Sequence, residues 1–370
     1  MSALFSPFTL RGVTLANRIV ISPMCQYSAE HGRAGAWHLI HLGHLALSGA
    51  AMLCLEATAV EPDGRISPAD LGLWDDATEA ALEPVLAAIR RYSPIRVAIQ
   101  LSHAGRKASS DVPWNGGKLI APEAGGWRPF APSGLAHRED EPPPHVLDAT
   151  GLERIRRAFD AAARRAARLG IDAIEVHAAH GYLLHQFLSP LANQRTDAYG
   201  GSRENRMRFA LEIFDIVRAA FPQDRPVGVR VSATDWVPGG WELDDTIAFA
   251  HELKKHGCDW IDVSSGGVSP RQKIPLSPGY QVPFAQAVRH AVGLPTIAVG
   301  LISEPEHANR LIETGDADFV AMARAMLYDP RWPWHAAAKL GATVDAPPQY
   351  WRSQPRDQKM LFGEAPFGQR

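Results

Sequence analysis

Eight short runs rich in apolar and β-branched residues alternate with helical runs along most of this sequence, and no other feature restricts the fold as strongly. The strand runs are Arg18–Met24, Ala51–Val60, Ile95–His103, Ile171–His180, Pro226–Thr234, Trp260–Gly266, Pro295–Gly300 and Asp318–Arg324. Several are apolar nearly throughout, as parallel strands covered on both faces must be. Between and after them the pattern predicts helices over Ala36–Ser48, Asp76–Arg91, Ala149–Leu169, Ser202–Phe221, Leu243–His256, Val282–Ala291, Glu304–Glu313 and Pro333–Leu340. Gly170 and Gly257 stand where helices stop ahead of the next strand. Eight such units predict an α/β fold, a single-domain TIM (β/α)₈ barrel, over an open doubly wound sheet.

Three regions break the alternation. Residues 1–17 fit a small N-terminal hairpin capping the barrel bottom, with Arg11-Gly12 as its turn. Residues 104–148, after the third strand run, are long and rich in Pro and Gly. The barrel domain is therefore expected over 1–342 and a Pro-rich, extended C-terminal tail over 343–370, a candidate oligomer contact. A chain of 370 residues is within reach of one barrel with insertions. With 46% apolar and 21% charged residues it can bury a large core, so disorder is not expected. Thirty-eight basic against 40 acidic residues leave a net charge of −2, and no bulk field favours nucleic acid or an acidic membrane. Cys25, Cys54 and Cys258 are odd in number and lack CxxC spacing, which argues against a disulfide framework, a structural zinc or an iron–sulfur cluster and suggests a reducing cytoplasm. The first residues, MSALFSPFTL, carry neither a basic segment nor an apolar core of a signal peptide, and no run approaches the roughly 18 apolar residues of a spanning helix, so the chain is expected to be soluble and unexported.

In TIM barrels chemistry sits at the C-terminal ends of the strands. Read that way, one pocket collects Pro23–Tyr27, Ala57-Thr58, Gln100 with His103, Arg106 and Lys107, His177, His180 and Tyr182, Arg230, Ser264–Gly267, Gly300, and Ala323-Arg324. The last two strand ends fit a phosphate site: Gly300 lets backbone N–H groups approach an anion and Arg324 offers a planar fork, unless Arg324 pairs with an acid. Arg230 and Gln100 rise from the barrel interior. A buried arginine needs an anion or strong acceptors, supplied either by a ligand or by an internal partner such as Glu175 or Glu56. His177 and His180 suit a substrate oxygen; they also suit a metal, with His103, Glu175 or Cys25 in support, or a structural pair. Tyr182 can deliver a proton or form an aromatic wall. Cys25 and Tyr27 flank the same space, Cys25 alternatively as core, and Lys107 alternatively as a solvated cation. No GxGxxG follows a strand, so no Rossmann domain holds a dinucleotide.

The segment EVHAAHGYLLHQFLSPLANQRTDAYGGSRENRMRF, Glu175–Phe209, resembles the signature of the old yellow enzyme family. SPMCQY, EATAV, QLSHAGRKAS, RVSATDW, DVSSGG and PGYQV match the same family in the same order, and the likeness covers nearly the whole chain. Cys25, the paired histidines and QYWR resemble the bacterial subfamily related to YqjM and xenobiotic reductase. The resemblance implies non-covalent FMN, with NADPH or NADH as reductant and enones, enals or nitro compounds as acceptors. It implies FMN contacts from Ser22, Pro23, Met24, Cys25, Ala57, Gln100, Arg230, Gly300, Ala323 and Arg324. It further implies His177 and His180 on the substrate oxygen, Lys107 and Tyr27 at the substrate, and Tyr182 as proton donor. A homodimer or homotetramer would share Arg352 across its interface. The family usually has Gly where this chain has Ala323, and nothing carries over past Arg352.

The expected reaction is hydride transfer from NAD(P)H through the flavin to an activated C=C bond. A metal-dependent barrel hydrolase and an electron-transfer flavoprotein without ene reduction are the rival classes.

Overall fold

The computed structural model describes residues 2–363; the last seven residues of the expected tail, 364–370, lie outside the described residues. The chain opens with an antiparallel hairpin, β1 (Phe8–Leu10) and β2 (Val13–Leu15), turning at Arg11-Gly12. The Gly12 N–H donates to the Asp224 carbonyl at 2.8 Å and the Arg11 guanidinium meets Asp259 at 2.6 Å, which fastens the hairpin under the barrel. Leu10, Val13 and Leu15 pack there with Val20, Met52, Trp260, Ile297 and Phe319, residues at or next to the strand starts.

Next come β3 (Ile19–Ile21), α1 (Ala36–Ala46), β4 (Met52–Ala59), α2 (Asp76–Tyr92) and β5 (Arg96–Ser102). The long loop holds a two-residue pair, β6 (Phe130–Ala131) with β7 (His145–Val146), and leads to α3 (Ala149–Arg168) and β8 (Ala173–Ala178). Then follow α4 (Leu183–Leu188), α5 (Arg203–Ala220), β9 (Val227–Ser232), α6 (Leu243–Lys255), β10 (Ile261–Ser264), α7 (Val282–Val292), β11 (Thr296–Val299), α8 (Pro305–Glu313), β12 (Phe319–Met322), α9 (Arg324–Tyr328) and α10 (Trp332–Leu340). Strands β3, β4, β5, β8, β9, β10, β11 and β12 pair in parallel and close into one barrel, the expected TIM fold. Each lies inside its expected run, and the eight expected helices agree to within two residues at either end.

The helices start and stop for local reasons. Asp75 caps α2 by accepting from the Thr78 N–H, and Asp148 caps α3 by accepting from the Gly151 N–H, both at 2.8 Å. Beyond α3, Gly170 takes φ 69°, a left-handed turn that costs glycine little. Helix α3 buries Leu152, Ile155, Phe159, Ala162, Ala163 and Ala166, a stripe at helical spacing laid on the barrel. Burial of each large side chain of this kind contributes about 1.5–3 kcal/mol.

The first strand ends at Ile21, not at Met24. Pro23 has no N–H for the ladder, so Ser22–Tyr27 is loop, and Cys25 belongs to the loop rather than to an apolar strand. Helices α4 and α9, at six and five residues, are too short to show periodicity and were not foreseen. The tail is extended at Pro347, winds into a 3₁₀ turn over Pro348–Ser353, and returns so that the Val344 N–H donates to the Leu361 carbonyl at 2.9 Å. Val344, Leu361 and Phe362 pack on Trp334 of α10. Among the described residues no helix is long and apolar enough to cross a membrane.

Candidate active site

A register skip in β4 arranges the first side of the barrel mouth. Leu55 pairs with Ile99 and Ala57 with Gln100, so Glu56 is bulged out. Its carboxylate accepts from the Gln26 N–H at 3.0 Å and lies 3.4 Å from His38 Nε2, which anchors the Ser22–Tyr27 loop. The Ser22 N–H donates to the Met322 carbonyl at 3.0 Å, while its buried hydroxyl has no partner among the described residues. The Cys25 thiol lies by the Ala57 backbone. Burial first, then the Asp70 and Glu56 carboxylates, pushes its pKa up, so it is a neutral thiol. Tyr27 adopts φ 51° and its ring meets Trp114 edge-on at 5.7 Å.

Gln100 and Arg230 are both buried inside the barrel. Gln100 Nε2 donates to Glu175 Oε1 at 2.8 Å. Arg230 does have internal acids: the nearest is Asp262, with Nε 3.4 Å from Oδ2 and no hydrogen bond among the described residues, and the Glu175 charge acts on it as well, while Glu56 forms no ion pair with it. The ladder explains the difference, since Asp262 stands opposite Arg230 between β10 and β9, while the bulge turns Glu56 outward.

His177 ends the inward face of β8. Its ring meets His180 edge-on at 5.2 Å and Tyr182 at 5.0 Å, so the three form one surface. His180 sits at φ 58°, a conformation uncommon outside glycine, and is held from three sides. Its N–H donates to Ser232 Oγ at 2.9 Å, its Nε2 pairs with Ser264 Oγ at 2.7 Å, and its carbonyl accepts from Lys107 Nζ at 2.8 Å. Below this turn the Gly181 N–H donates to His185 Nδ1, which leaves the His185 Nε2–H for Asp235 at 2.9 Å. Burial, then the charge of Arg230, lowers the pKa of His177 and His180 well below the usual range, so both are neutral. Burial pushes the Tyr182 hydroxyl up, so it keeps its proton. His103 is occupied by Glu61 at 3.0 Å and Glu175 by Gln100, and among the described residues no group of three His, Cys, Asp or Glu is placed to hold a metal ion.

Lys107 is not a solvated cation. Besides His180 it donates to the Gly267 carbonyl at 3.2 Å and lies 5.0 Å over the Tyr182 ring, and burial brings its pKa down to about 8. On the far side of the mouth Gly300 has φ 126°, and a Cβ there would stand 3.0 Å from Gln281 Nε2 and 3.1 Å from the Tyr280 ring. Ala323 precedes α9, and Arg324 opens it, exposed and in no ion pair among the described residues. The acid-paired alternative for Arg324 is therefore not what the fold builds. Arg352 is exposed on the tail's 3₁₀ turn and makes no hydrogen bond or ion pair with the mouth.

Sequence reading missed Ser232, Ser264 as the partner of His180, the His185–Asp235 pair and Asp262. Asp262 and Ser232 had a local signal, the one two residues before Ser264 and the other two residues after Arg230 on the same strand faces.

The mouth has a consistent deficit. Ser22 Oγ, His177 Nδ1 and Arg230 Nε are buried without hydrogen-bond partners among the described residues, although such groups are ordinarily satisfied. Gly300 lets Gln281 and Tyr280 close in on its backbone, and Arg324 offers an exposed guanidinium with no ion pair among the described residues. A planar heterocycle with polar edges and a phosphate tail supplies what these groups lack. Residues 3–342 match the model of the NADH:flavin oxidoreductase / NADH oxidase family. The NADPH dehydrogenase of Geobacillus thermodenitrificans (strain NG80-2) is 44% identical over 353 residues, covering 95% of this chain and 98% of that one. An NADH:flavin oxidoreductase of Gibberella zeae is 44% identical over 358 residues, covering 92% and 86%. Among solved structures, morphinone reductase superposes with a TM-score of 0.76 at 28% identity, covering 99% and 96%. By the family match and by identity over nearly all its length, the chain belongs to the NADH:flavin oxidoreductase / NADH oxidase family, that of the old yellow enzymes, and is an oxidoreductase that works with FMN.

Proposed function

We propose that this chain is an ene-reductase, carrying hydride from NADPH or NADH to the activated C=C bond of enones, enals or nitro compounds. The observation that carries the reading is the surface made by two neutral histidines, His177 buried and His180 half-buried, and a protonated tyrosine at one barrel mouth. FMN would be held without a covalent bond by Ser22, Pro23, Met24, Cys25, Ala57, Gln100, Arg230, Gly300, Ala323 and Arg324. Bound there, it supplies the two-electron relay between nicotinamide and acceptor. His177 and His180 donate hydrogen bonds to the carbonyl or nitro oxygen, where negative charge grows as the β-carbon takes hydride. Ser264 fixes the His180 ring and Lys107 fixes its backbone. Tyr182 gives its proton to the α-carbon. Tyr27, Cys25 and Lys107 line the acceptor's space.

The test is optical. The protein should be yellow, release FMN on heating, bleach with NADPH without oxygen, and regain colour with cyclohexenone. Bleaching without reoxidation by any enone, enal or nitroalkene would leave an electron-transfer flavoprotein. A colourless protein that refuses FMN and binds a metal would return the hydrolase.

We further propose a homodimer or homotetramer in which the tail, 343–370, brings Arg352 to a neighbour's mouth. Trp37 and Ile40 of α1 are 49% and 65% exposed, Tyr328 is 94% exposed and Tyr350 41% exposed. Arg331 joins them, donating to the His44 carbonyl and stacking on the rings of Trp334 and Tyr350. Exposed aromatics of this density suit an interface. A reducing cytoplasm suits the three free cysteines.

A further inference from the structure

Two carboxylates and one guanidinium lie together inside the barrel, and their charges do not balance. Glu175 is 3% exposed, Asp262 1% and Arg230 6%. Three adjacent strands supply them: Glu175 from β8, Arg230 from β9, Asp262 from β10. Arg230 lies 3.4 Å from Asp262, and Glu175 is within hydrogen-bonding reach of Asp262. The other groups facing the carboxylates are Gln100, the Cys54 thiol and the Trp260 indole; His177 and Tyr280 face Arg230. Arg230 is the one cation in this set. Asp262 Oδ1 accepts from no donor among the described residues, although Glu175 is beside it.

With both carboxylates ionised the cluster would carry a net negative charge away from water, which is costly. A proton on Glu175 removes the excess and supplies the donor that Asp262 lacks. Burial acts the same way, raising the pKa of both acids, and the Asp262 charge raises that of Glu175 further.

We propose that Glu175 and Asp262 share one proton at neutral pH and are positioning residues for the flavin's pyrimidine edge, Glu175 acting through Gln100 and Asp262 through Arg230. The inference rests on Gln100 and Arg230 meeting that edge. The shared proton makes the cluster neutral, so Arg230 keeps enough positive character to favour negative charge on the flavin. Reduction adds such charge and tightens the hold on the proton. Over the pH range where the oxidised protein has lost the proton and the reduced protein has kept it, reduction takes up one extra proton, and the potential falls more steeply with pH.

Two measurements test this. The infrared spectrum of wild type, without any flavin, should show a protonated carboxyl C=O band at neutral pH that disappears at high pH and is lost in Glu175→Gln or Asp262→Asn. Potentiometry of FMN-loaded protein should show the steeper segment in wild type and its loss in Glu175→Gln, with FMN uptake retained. Absence of the carboxyl band in wild type at neutral pH overturns the shared proton. A band with superimposable potential–pH curves for wild type and Glu175→Gln overturns the link to the flavin. Failure of wild type to take up FMN would instead refute the flavin reading, and the infrared result would stand by itself.

Discussion

Lys107 Nζ donates to the backbone carbonyl of His180 at 2.8 Å, tying the loop after β5 to the left-handed turn that carries the histidine pair. Lys107→Met should keep the fold and the FMN but loosen that turn, raising KM for enones several-fold with a smaller effect on reduction by NADPH. Burial brings the lysine down to about 8, so in wild type the same KM should climb as pH rises through 8 and the tie weakens, while in Lys107→Met it should stay flat. Parallel pH profiles would return Lys107 to a passive role.

The histidine pair should bind its ligand as neutral imidazoles. His177→Ala or His180→Ala should cost about 2.7–4 kcal/mol of transition-state stabilisation each, with flavin content nearly unchanged. Their lowered pKa values set the pH dependence of stability. The unfolded chain protonates histidine near 6.5 and the folded one does not, so stability is full above about pH 6.5 and is lost as pH falls below it. Thermal denaturation between pH 7.5 and 5 should show the decline, and His177→Asn should flatten it. An identical decline in both proteins would place the sensitive groups elsewhere.

Tyr182 keeps its proton because burial opposes the phenolate. Tyr182→Phe should slow reoxidation by enones by about 10²–10⁴-fold while reduction by NADPH changes little. Stopped-flow traces that superimpose would make water the donor and Tyr182 a wall of the pocket.

Cys25 is a neutral thiol in a loop, so it should tune and not attack. Cys25→Ala should shift the flavin potential and the KM values yet leave turnover within about tenfold, as expected for loss of a polarisable sulfur contact. Inactivation beyond that range would assign it a direct chemical part.

Arg352 is the one acceptor-site candidate that the chain does not bring to its own mouth. Wild type should sediment as a dimer or larger, and Arg352→Ala should raise KM without dissociating it. A fully active monomer would rule out sharing between subunits.

The barrel was legible because parallel strands buried on both faces leave apolar runs that polar loops and helices punctuate. The mouth was legible because its polar residues sit at strand ends, where sequence position already gives spatial position. What stayed hidden depended on pairings between distant strands. Asp262 is the partner of Arg230 only through the β9–β10 register, and Glu56 is lost to Arg230 only because β4 skips a residue. The hold of Lys107 on His180 joins residues 73 apart, and the sequence alone offered solvent as the simpler place for a lysine. Helix α4 is six residues long, below the length at which periodicity speaks.

The hairpin under the barrel also governs traffic. Leu10, Val13 and Leu15 cover the end where the strands begin, so at the proposed site nicotinamide and acceptor would both enter and leave by the opposite opening. Two visitors to one doorway exclude each other. Double-reciprocal plots at several fixed nicotinamide concentrations should therefore give parallel lines, and excess acceptor should slow the enzyme by competing with the reductant.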